Sequence, residues 1–282
     1  MASHRYRVVD VFTENKLEGN PLAVFPDAPN FDDRTMQRVA QELNLSETVF
    51  VYPPTSPACA ARLRIFTPVQ EVPFAGHPTV GTSWVLREEG RVTADHFVLE
   101  ELVGPVPVRA DGDLLWLRTP PVSFGAEYDR EDCARGLGIP LHDLLDVPPQ
   151  LVSAGNPNIY IALKSREAVD RAWADLAGMR LIHKSGNPIC IFCFTPTPEG
   201  AYSRMFAAAH GIPEDPATGS ATGPLAAYMA RYGLCSGEHG TRLVSEQGVK
   251  MGRRSLLHIL FGEEGIEVGG SVAPIISATM DL

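Results

Sequence analysis

Long hydrophobic runs are missing from this sequence of 282 residues. No apolar stretch reaches the ~18 residues that a membrane-spanning helix needs before a charge or a proline interrupts it. The first residues, MASHRYRVVDVF, read as a strand from the start and contain no hydrophobic segment of a secretory signal. We therefore expect a protein of the cytoplasm with no membrane partner.

Cysteine and positive charge are also scarce. The five cysteines are scattered and odd in number, which fits reduced thiols better than a disulfide framework. The 34 Asp and Glu residues outnumber the 24 Lys and Arg residues, and the net charge is −10. No cluster of cations is dense enough to bind a phosphate polymer. These features exclude nucleic acid as a partner and favour a small molecule.

The common nucleotide and metal motifs are absent as well. No lysine follows a glycine turn as a Walker loop requires, and no G-x-G-x-x-G opens the first helix. Cys190 and Cys193 lie in an apolar run, CIFCF, where the period of two in a strand places them on opposite faces. No second Cys or His pair follows at zinc spacing. We therefore expect no metal site and no nucleotide.

Short strand-like runs separated by Gly and Pro turns dominate what is present. Four segments have helical spacing instead: 32–43, 78–88, 167–179 and 221–232. Asn30 or Asp32 is placed to cap the first of them. The Pro-rich LRTPPVSF near residue 120 is the predicted domain junction.

The two halves of the chain resemble each other. EVPFAGHPT at 71–79 and EDPATGSAT at 214–222 share Glu, Pro, Gly and Thr at the same relative positions. Gly19 and Gly155 each open a Gly-Asn-Pro that precedes a strand-like run. Chance is the alternative, because turns reuse these residue types. A duplication predicts two strand-rich halves whose helices begin at Gly turns that face a shared cleft.

Gly76 and Gly219 stand where these two helices are expected to begin. A helix N-terminus presents unsatisfied N–H groups and the positive end of the helix dipole, and glycine lets a ligand approach the backbone closely. The second turn opens with two carboxylates, Glu214 and Asp215, which would repel phosphate. A small carboxylate is therefore the predicted ligand.

Several reactive side chains lie at or near these turns: Asp215, Ser220, His77 and Glu47, the last in NLSETVFVYP between a helix and a strand. Each also has an ordinary interpretation, as a cap, a solvated turn residue or a structural histidine. Ser220 has no nearby base and is not part of a nucleophile elbow. The functional interpretation of Glu47 requires burial, because a carboxyl in apolar surroundings exchanges protons near neutral pH.

Five strings together resemble the phenazine-biosynthesis PhzF-like isomerase family: DVFTENKLEGNPLAVF, LNLSETVFV, FTPVQEVPFAGHPTVGTSWVL, GNPNIYIAL and FAAAHGIPEDPATGSATGPLAAY. The resemblance covers nearly the whole chain. It implies the α+β fold of diaminopimelate epimerase, in which two pseudo-symmetric, strand-rich barrel domains each wrap around a central helix. Residues 1–118 would form the first domain, completed by a last strand near 272–282, and residues 119–271 the second. It also implies a cleft between the domains and a homodimer.

The same resemblance implies chemistry without cofactor or metal. In the phenazine enzyme a glutamate moves a proton across a cyclohexadiene and converts trans-2,3-dihydro-3-hydroxyanthranilate into an enol that becomes a ketone. That glutamate matches Glu47, and the residues that assist it match His77, Asp215 and Ser220. The positions that line the ligand site match Asn20, Ser46, Gly76 and Gly219.

Related epimerases and proline racemases carry a cysteine at each helix-leading turn, as acid and base. Here these positions are Ala75 and Thr218, so two-base catalysis by thiols is excluded at these turns. A single carboxyl base that works on one face of the substrate remains. Two alternatives stay open: an epimerase that uses Glu47 with another acid on a different small carboxylate, and a small-carboxylate binding protein without turnover.

Overall fold

The structure, a computed structural model, describes residues 3–28, 31–208 and 211–282. The chain divides into two compact units. Unit 1 comprises residues 1–118 and 269–282, and unit 2 comprises residues 119–268.

The described residues of unit 1 form strands and two helices. Its strands are β1 (Ser3–Val11), β2 (Asn20–Phe25), β3 (Glu47–Tyr52), β4 (Ala61–Phe66), β5 (Glu71–Val72), β6 (His96–Glu101), β7 (Gly104–Asp111), β8 (Leu114–Arg118) and, at the end of the chain, β18 (Val272–Asp281). Its helices are α1 (Asp33–Leu43) and α2 (Gly76–Glu88). Strand β1 pairs antiparallel with β18 and β2, and β2 pairs parallel with β3. Strand β4 pairs antiparallel with β3 and β5 and parallel with β6, which continues antiparallel into β7 and β8.

Unit 2 repeats this topology. Its strands are β9 (Ser123–Glu127), β10 (Gln150–Ser153), β11 (Pro157–Ala162), β12 (Cys190–Thr197), β13 (Gly200–Ala207), β14 (Ile212–Asp215), β15 (Arg242–Gln247), β16 (Ser255–Gly262) and β17 (Gly265–Gly270). The last two residues of β17 belong to unit 1. Its helices are α3 (Arg130–Gly136), α4 (Arg166–Arg171), α5 (Leu176–Ile182) and α6 (Gly219–Arg231). The pairing of β9 with β10 corresponds to that of β18 with β1, and β11 and β12 are parallel as β2 and β3 are. Strand β13 pairs antiparallel with β12 and β14 and parallel with β15, as β4 does with its neighbours.

Each unit has one central helix, α2 or α6, which leads out of the Gly turn and is buried on nearly all sides. Small residues allow this close packing. A Cβ at Gly81 would lie 2.6 Å from Leu22 Cδ2, and one at Gly223 would lie 2.2 Å from Thr119 Oγ1. The predicted fold class, two pseudo-symmetric α+β units each wrapped on a central helix, is confirmed.

The predicted helix over 167–179 is wrong in part, because two short helices, α4 and α5, replace it. Ala172 ends α4 in an extended conformation, and Asp175 caps α5 by accepting a hydrogen bond from the Gly178 amide at 2.9 Å. Helix α3 was not predicted, since its seven residues are too short to show a clear period. The two central helices begin two residues earlier than predicted, at Gly76 and Gly219.

The capping prediction for α1 holds for one of its two candidates. Asp32 accepts a hydrogen bond from the Thr35 amide at 2.7 Å, whereas Asn30 lies outside the described residues. Asn44 ends the helix in a left-handed conformation.

The cores of unit 2 lie on both sides of β12. Cys190 packs with Leu225 and Tyr228 of α6, whereas Cys193 packs with Met179 and Phe206 on the other side. The prediction that Cys190 and Cys193 point to opposite faces is confirmed. Among the described residues, no helix is long and apolar enough to cross a membrane.

Candidate active site

Glu47 and His77 lie in contact in unit 1. Glu47 is the first residue of β3 and His77 is the second residue of α2, and their atoms Oε2 and Nε2 are 3.2 Å apart. Only 16% of the Glu47 side chain and 4% of the His77 side chain are exposed. The structure therefore brings together the predicted proton carrier and one of its predicted helpers.

Burial lowers the pKa of His77 to about 3, so the imidazole is neutral at physiological pH. A neutral imidazole has one nitrogen that donates and one that accepts. In one tautomer Nε2 can donate a hydrogen to a Glu47 carboxylate, and in the other it can accept one from a Glu47 carboxylic acid. The contact is therefore suited to support both protonation states of Glu47.

The N-terminus of α2 carries no side-chain cap. Ala75 occupies the N-cap position in an extended conformation and offers no hydrogen-bonding side chain. The N–H groups of Gly76 and His77 belong to the first turn, where a helix has no carbonyl of its own to bind them. This turn can therefore bind an anion, as the sequence predicts.

Asn20 and Ser46 lie on the strands that lead to this contact. Asn20 opens β2 and is fully buried, two residues before Leu22, which is paired with Glu47 across the parallel strands. Ser46 directly precedes Glu47 and is half-buried. Both predicted ligand-lining residues of this segment are thus at the same end of the sheet as Glu47.

Asp215 lies at the corresponding turn of unit 2. It ends β14, and its Oδ2 accepts a hydrogen bond from Thr218 Oγ1 at 2.5 Å. Gln247, fully buried at the end of β15, donates from Nε2 to the Asp215 carbonyl at 2.7 Å and to Thr218 Oγ1 at 3.0 Å. The Thr218 amide donates back to Gln247 Oε1 at 3.2 Å. Gln247 therefore holds both ends of this turn.

Gly219 and Ser220 begin α6, and Thr218 occupies its N-cap position without a side-chain capping bond. The Thr218 hydroxyl hydrogen is directed to Asp215, which leaves the first N–H groups of α6 without a side-chain cap, as at α2. Ser220 is half-buried. Each unit thus presents one helix N-terminus at the repeated Gly turn.

An Arg–Glu ion pair stabilises the repeated turn in each unit. Arg64 donates to both carboxylate oxygens of Glu71 at 2.7 and 2.6 Å. Arg204 donates to both oxygens of Glu214 at 2.9 and 2.8 Å. Glu71 and Glu214 are the first residues of the two repeated motifs, so Glu214 serves the structure of its turn.

Two buried polar residues near these turns were not predicted, Glu101 and Gln247. Glu101 ends β6, is only 5% exposed, and lies with Oε1 2.6 Å from Thr79 Oγ1 in the first turn of α2. The sequence pattern does indicate that both residues are buried. In HFVLEE and RLVSEQ the period of two places these last residues on the same face as the buried Leu99 and Ser245.

Within the ranges that the structure describes, no three His, Cys, Asp or Glu side chains lie close enough together to hold a metal ion.

Comparison with known proteins agrees with the fold. A family model described as phenazine biosynthesis-like protein matches residues 9–277. The trans-2,3-dihydro-3-hydroxyanthranilate isomerase of Pseudomonas aeruginosa is 35% identical over 266 residues, which cover 90% of this chain and 89% of that protein. The crystal structure of the Bacillus anthracis phenazine biosynthesis protein, PhzF family, superposes with a TM-score of 0.90 at 25% identity and covers 100% of both chains.

A probable proline racemase from Agrobacterium radiobacter shares the fold at a greater distance. Its TM-score is 0.66 at 12% identity, over 99% of this chain and 93% of that one. Because the family model spans nearly the whole sequence and the Pseudomonas relative is 35% identical, the chain belongs to the PhzC-PhzF family of phenazine biosynthesis-like proteins.

Proposed function

We propose that this isomerase moves a proton on a small unsaturated carboxylic acid, with Glu47 as its single acid and base and without a cofactor. The observation that carries the proposal is the contact of Glu47 with the neutral His77 at the uncapped start of α2. The absence of thiols at Ala75 and Thr218 supports one carboxyl base over a pair of cysteines.

The substrate carboxylate would bind to the N–H groups of a first helical turn, where the positive end of the helix dipole stabilises negative charge. Gly76 and Gly219 let such a group approach the backbone. We assign Asn20, Ser46, Asp215 and Ser220 to the hydrogen bonds that orient the remaining polar groups of the substrate.

Glu47 in its carboxylate form would remove a proton from a carbon next to the π-system of the substrate. The electron pair of that C–H bond enters the π-system, and the anion is delocalised toward the bound carboxylate. Glu47, now a carboxylic acid, returns the same proton to another carbon of that system. The double bond shifts, and no atom or electron is gained or lost. With its hydrogen on Nε2, neutral His77 can donate to Glu47 in both forms, because a carboxylic acid keeps an acceptor oxygen.

The first substrate to test is trans-2,3-dihydro-3-hydroxyanthranilate, because the Pseudomonas aeruginosa relative is named for its isomerisation. Family resemblance also leads us to propose that the protein acts in the cytoplasm as a homodimer. Sedimentation of the purified protein at several concentrations would test the dimer directly.

The proposed function is tested by NMR of this compound in D₂O with the wild-type protein, Glu47→Gln and the control Glu42→Gln. Glu42 is an exposed glutamate of α1, and so it tests the effect of losing one carboxylate alone. We expect conversion by the wild type and the control, with part of the migrating hydrogen retained. Glu47→Gln should be slower by roughly 10²–10⁴-fold, the usual contribution of a general acid or base.

Two other outcomes decide between alternatives. Deuterium uptake that depends on Glu47, without conversion, would replace this substrate with another small carboxylate, as in an epimerase. Equal conversion by wild type and Glu47→Gln would refute the role of Glu47.

A further inference from the structure

Glu101 is a buried carboxyl that the proposed reaction does not use. It lies at the end of β6 behind the first turn of α2, the turn that carries His77. Its Oε1 is 2.6 Å from Thr79 Oγ1, and its Oε2 is buried and has no hydrogen-bond partner among the described residues. An ionised carboxylate so placed would have one oxygen unsolvated and unbonded, which is costly.

The number of hydrogens at the contact between Glu101 and Thr79 indicates whether Glu101 is protonated. Thr79 Oγ1 is also 2.8 Å from the backbone carbonyl of Ala75, which can only accept a hydrogen bond. The threonine hydroxyl has a single hydrogen. Unless Thr79 shares this one hydrogen between two acceptors, both short contacts are hydrogen bonds only if Thr79 donates to Ala75 and the carboxylic acid of Glu101 donates to Thr79.

Among the described residues, no charged group contributes to the pKa of Glu101. On β4, Arg64 is bound by Glu71, and Arg62, which lies at the same pocket, stacks over the Tyr52 ring at 5.2 Å. Other charged or titratable groups on the neighbouring elements have partners of their own or are neutral. Glu100 binds Thr55, Arg87 binds Asp95, Arg109 binds Asp111, and His77 is neutral. Burial raises the pKa of Glu101 to about 8, even though a Thr79 hydroxyl that donated to the ionised form would lower this pKa.

The equivalent place in unit 2 is occupied by a neutral donor. In unit 1, β4 and β6 align Arg62 with Glu100, and in unit 2, β13 and β15 align Tyr202 with Glu246. The next residues are Glu101 and Gln247. The Gln247 amide donates to the N-cap hydroxyl of α6 at 3.0 Å. An uncharged carboxylic acid at Glu101 would likewise donate a hydrogen bond to a threonine hydroxyl, that of Thr79, in the first turn of α2.

We propose that Glu101 is a positioning residue held as a carboxylic acid, which donates to Thr79, fixes the first turn of α2 and thereby His77, and sets an alkaline limit on activity when it ionises. The part that concerns activity rests on the proposed function. The part that concerns protonation does not, and it is tested separately.

Protonation is tested on the purified protein by infrared spectroscopy at pH 6 and pH 9.5, with wild type, Glu101→Gln and the control Glu100→Gln. We expect a carboxylic acid C=O band in wild type and in the control at pH 6, which disappears at pH 9.5 and is absent from Glu101→Gln at both. Wild type and Glu101→Gln with the same spectra would overturn the proposal whether or not the protein turns over any substrate.

The positioning role is tested by pH–rate profiles of the same proteins and Glu101→Ala. Glu101→Gln keeps a neutral donor, and so its rate at pH 7 should stay within about threefold of wild type while the fall above about pH 8 disappears. Glu101→Ala should lose roughly tenfold or more at all pH values because Thr79 loses its donor. Glu100→Gln should keep the wild-type profile. An unchanged alkaline limb in Glu101→Gln, or an equal loss in the Gln and Ala variants, would overturn the role.

Discussion

The buried ion pair of unit 2 allows a quantitative test of how the turn that carries Asp215 is held. Arg204 and Glu214 have side chains only 6% and 8% exposed. Arg204 Nη1 also donates to the carbonyls of Val169, Asp170 and Ala172 at 3.2, 3.1 and 2.6 Å. The change Arg204→Met keeps an unbranched side chain but leaves the Glu214 carboxylate buried without its partner.

The magnitude follows from this burial. Removal of one member of a buried ion pair costs about 3–5 kcal/mol of unfolding free energy, because the remaining charge is uncompensated. For a unit of this size, each kcal/mol lowers the melting temperature by roughly 2–4 °C. We therefore expect a fall of roughly 6–20 °C for Arg204→Met. The double variant Arg204→Met, Glu214→Leu removes both charges and should recover most of this loss.

Arg64→Met is the matched control, because Arg64 and Glu71 form the same pair at the equivalent turn of unit 1. Their side chains are each 22% exposed, so solvent compensates the remaining Glu71 and the cost should be smaller, about 1–2 kcal/mol. Denaturant unfolding followed by circular dichroism gives the free energies, and amide hydrogen exchange shows which unit opens. A loss for Arg204→Met no greater than that for Arg64→Met, or a double variant as unstable as the single one, would refute this reasoning.

The buried groups described above lead to three further predictions. Burial lowers the pKa of His77 to about 3, so the folded protein resists a proton that the unfolded chain accepts below pH 6.5. The free energy of unfolding should therefore fall by up to about 1.4 kcal/mol per pH unit as the pH drops from 6.5 toward 3. Acid titration of the melting temperature should give a flatter profile for His77→Asn but not for the exposed-site control His142→Asn. Gln247→Leu removes the hydrogen bonds that hold the Asp215–Thr218 turn and should cost about 1–3 kcal/mol in denaturant unfolding, and a wild-type midpoint would contradict it. Burial raises the pKa of Cys133, Cys190 and Cys193 to about 12; a thiol reagent should therefore modify the half-buried Cys235 first in the native protein, and fast reaction of all the cysteines without denaturant would contradict the buried positions.

The helix-leading turns were predicted well because their signals are local. Gly76 and Gly219, with the Pro and Thr residues around them, mark the start of each central helix within a few residues of chain. The period of two likewise placed Cys190 and Cys193 on opposite faces of β12. The helix over 167–179 was predicted wrongly because its helical spacing continues across the break at Ala172, where tertiary packing decides the backbone.

The partners of the charged residues could not be predicted from local sequence signals. Glu214 and Asp215 are neighbours in sequence, yet one is bound by Arg204 and the other accepts a hydrogen bond from Thr218. Glu101 lies next to Glu100, which binds Thr55, while its own side chain faces Thr79. Sequence spacing shows which face a side chain takes, but not which distant residue meets it there.

The sequence by itself determined the repeated architecture, the two Gly turns and the absence of a thiol from both, because these depend on residue identity and on periods of a few residues. Only the tertiary structure decided that Glu47 meets His77, that His77 is neutral and that Glu101 is buried. The physical reason is that proton affinity depends on lost solvent and on the groups that replace it, and these come from segments far apart in the chain.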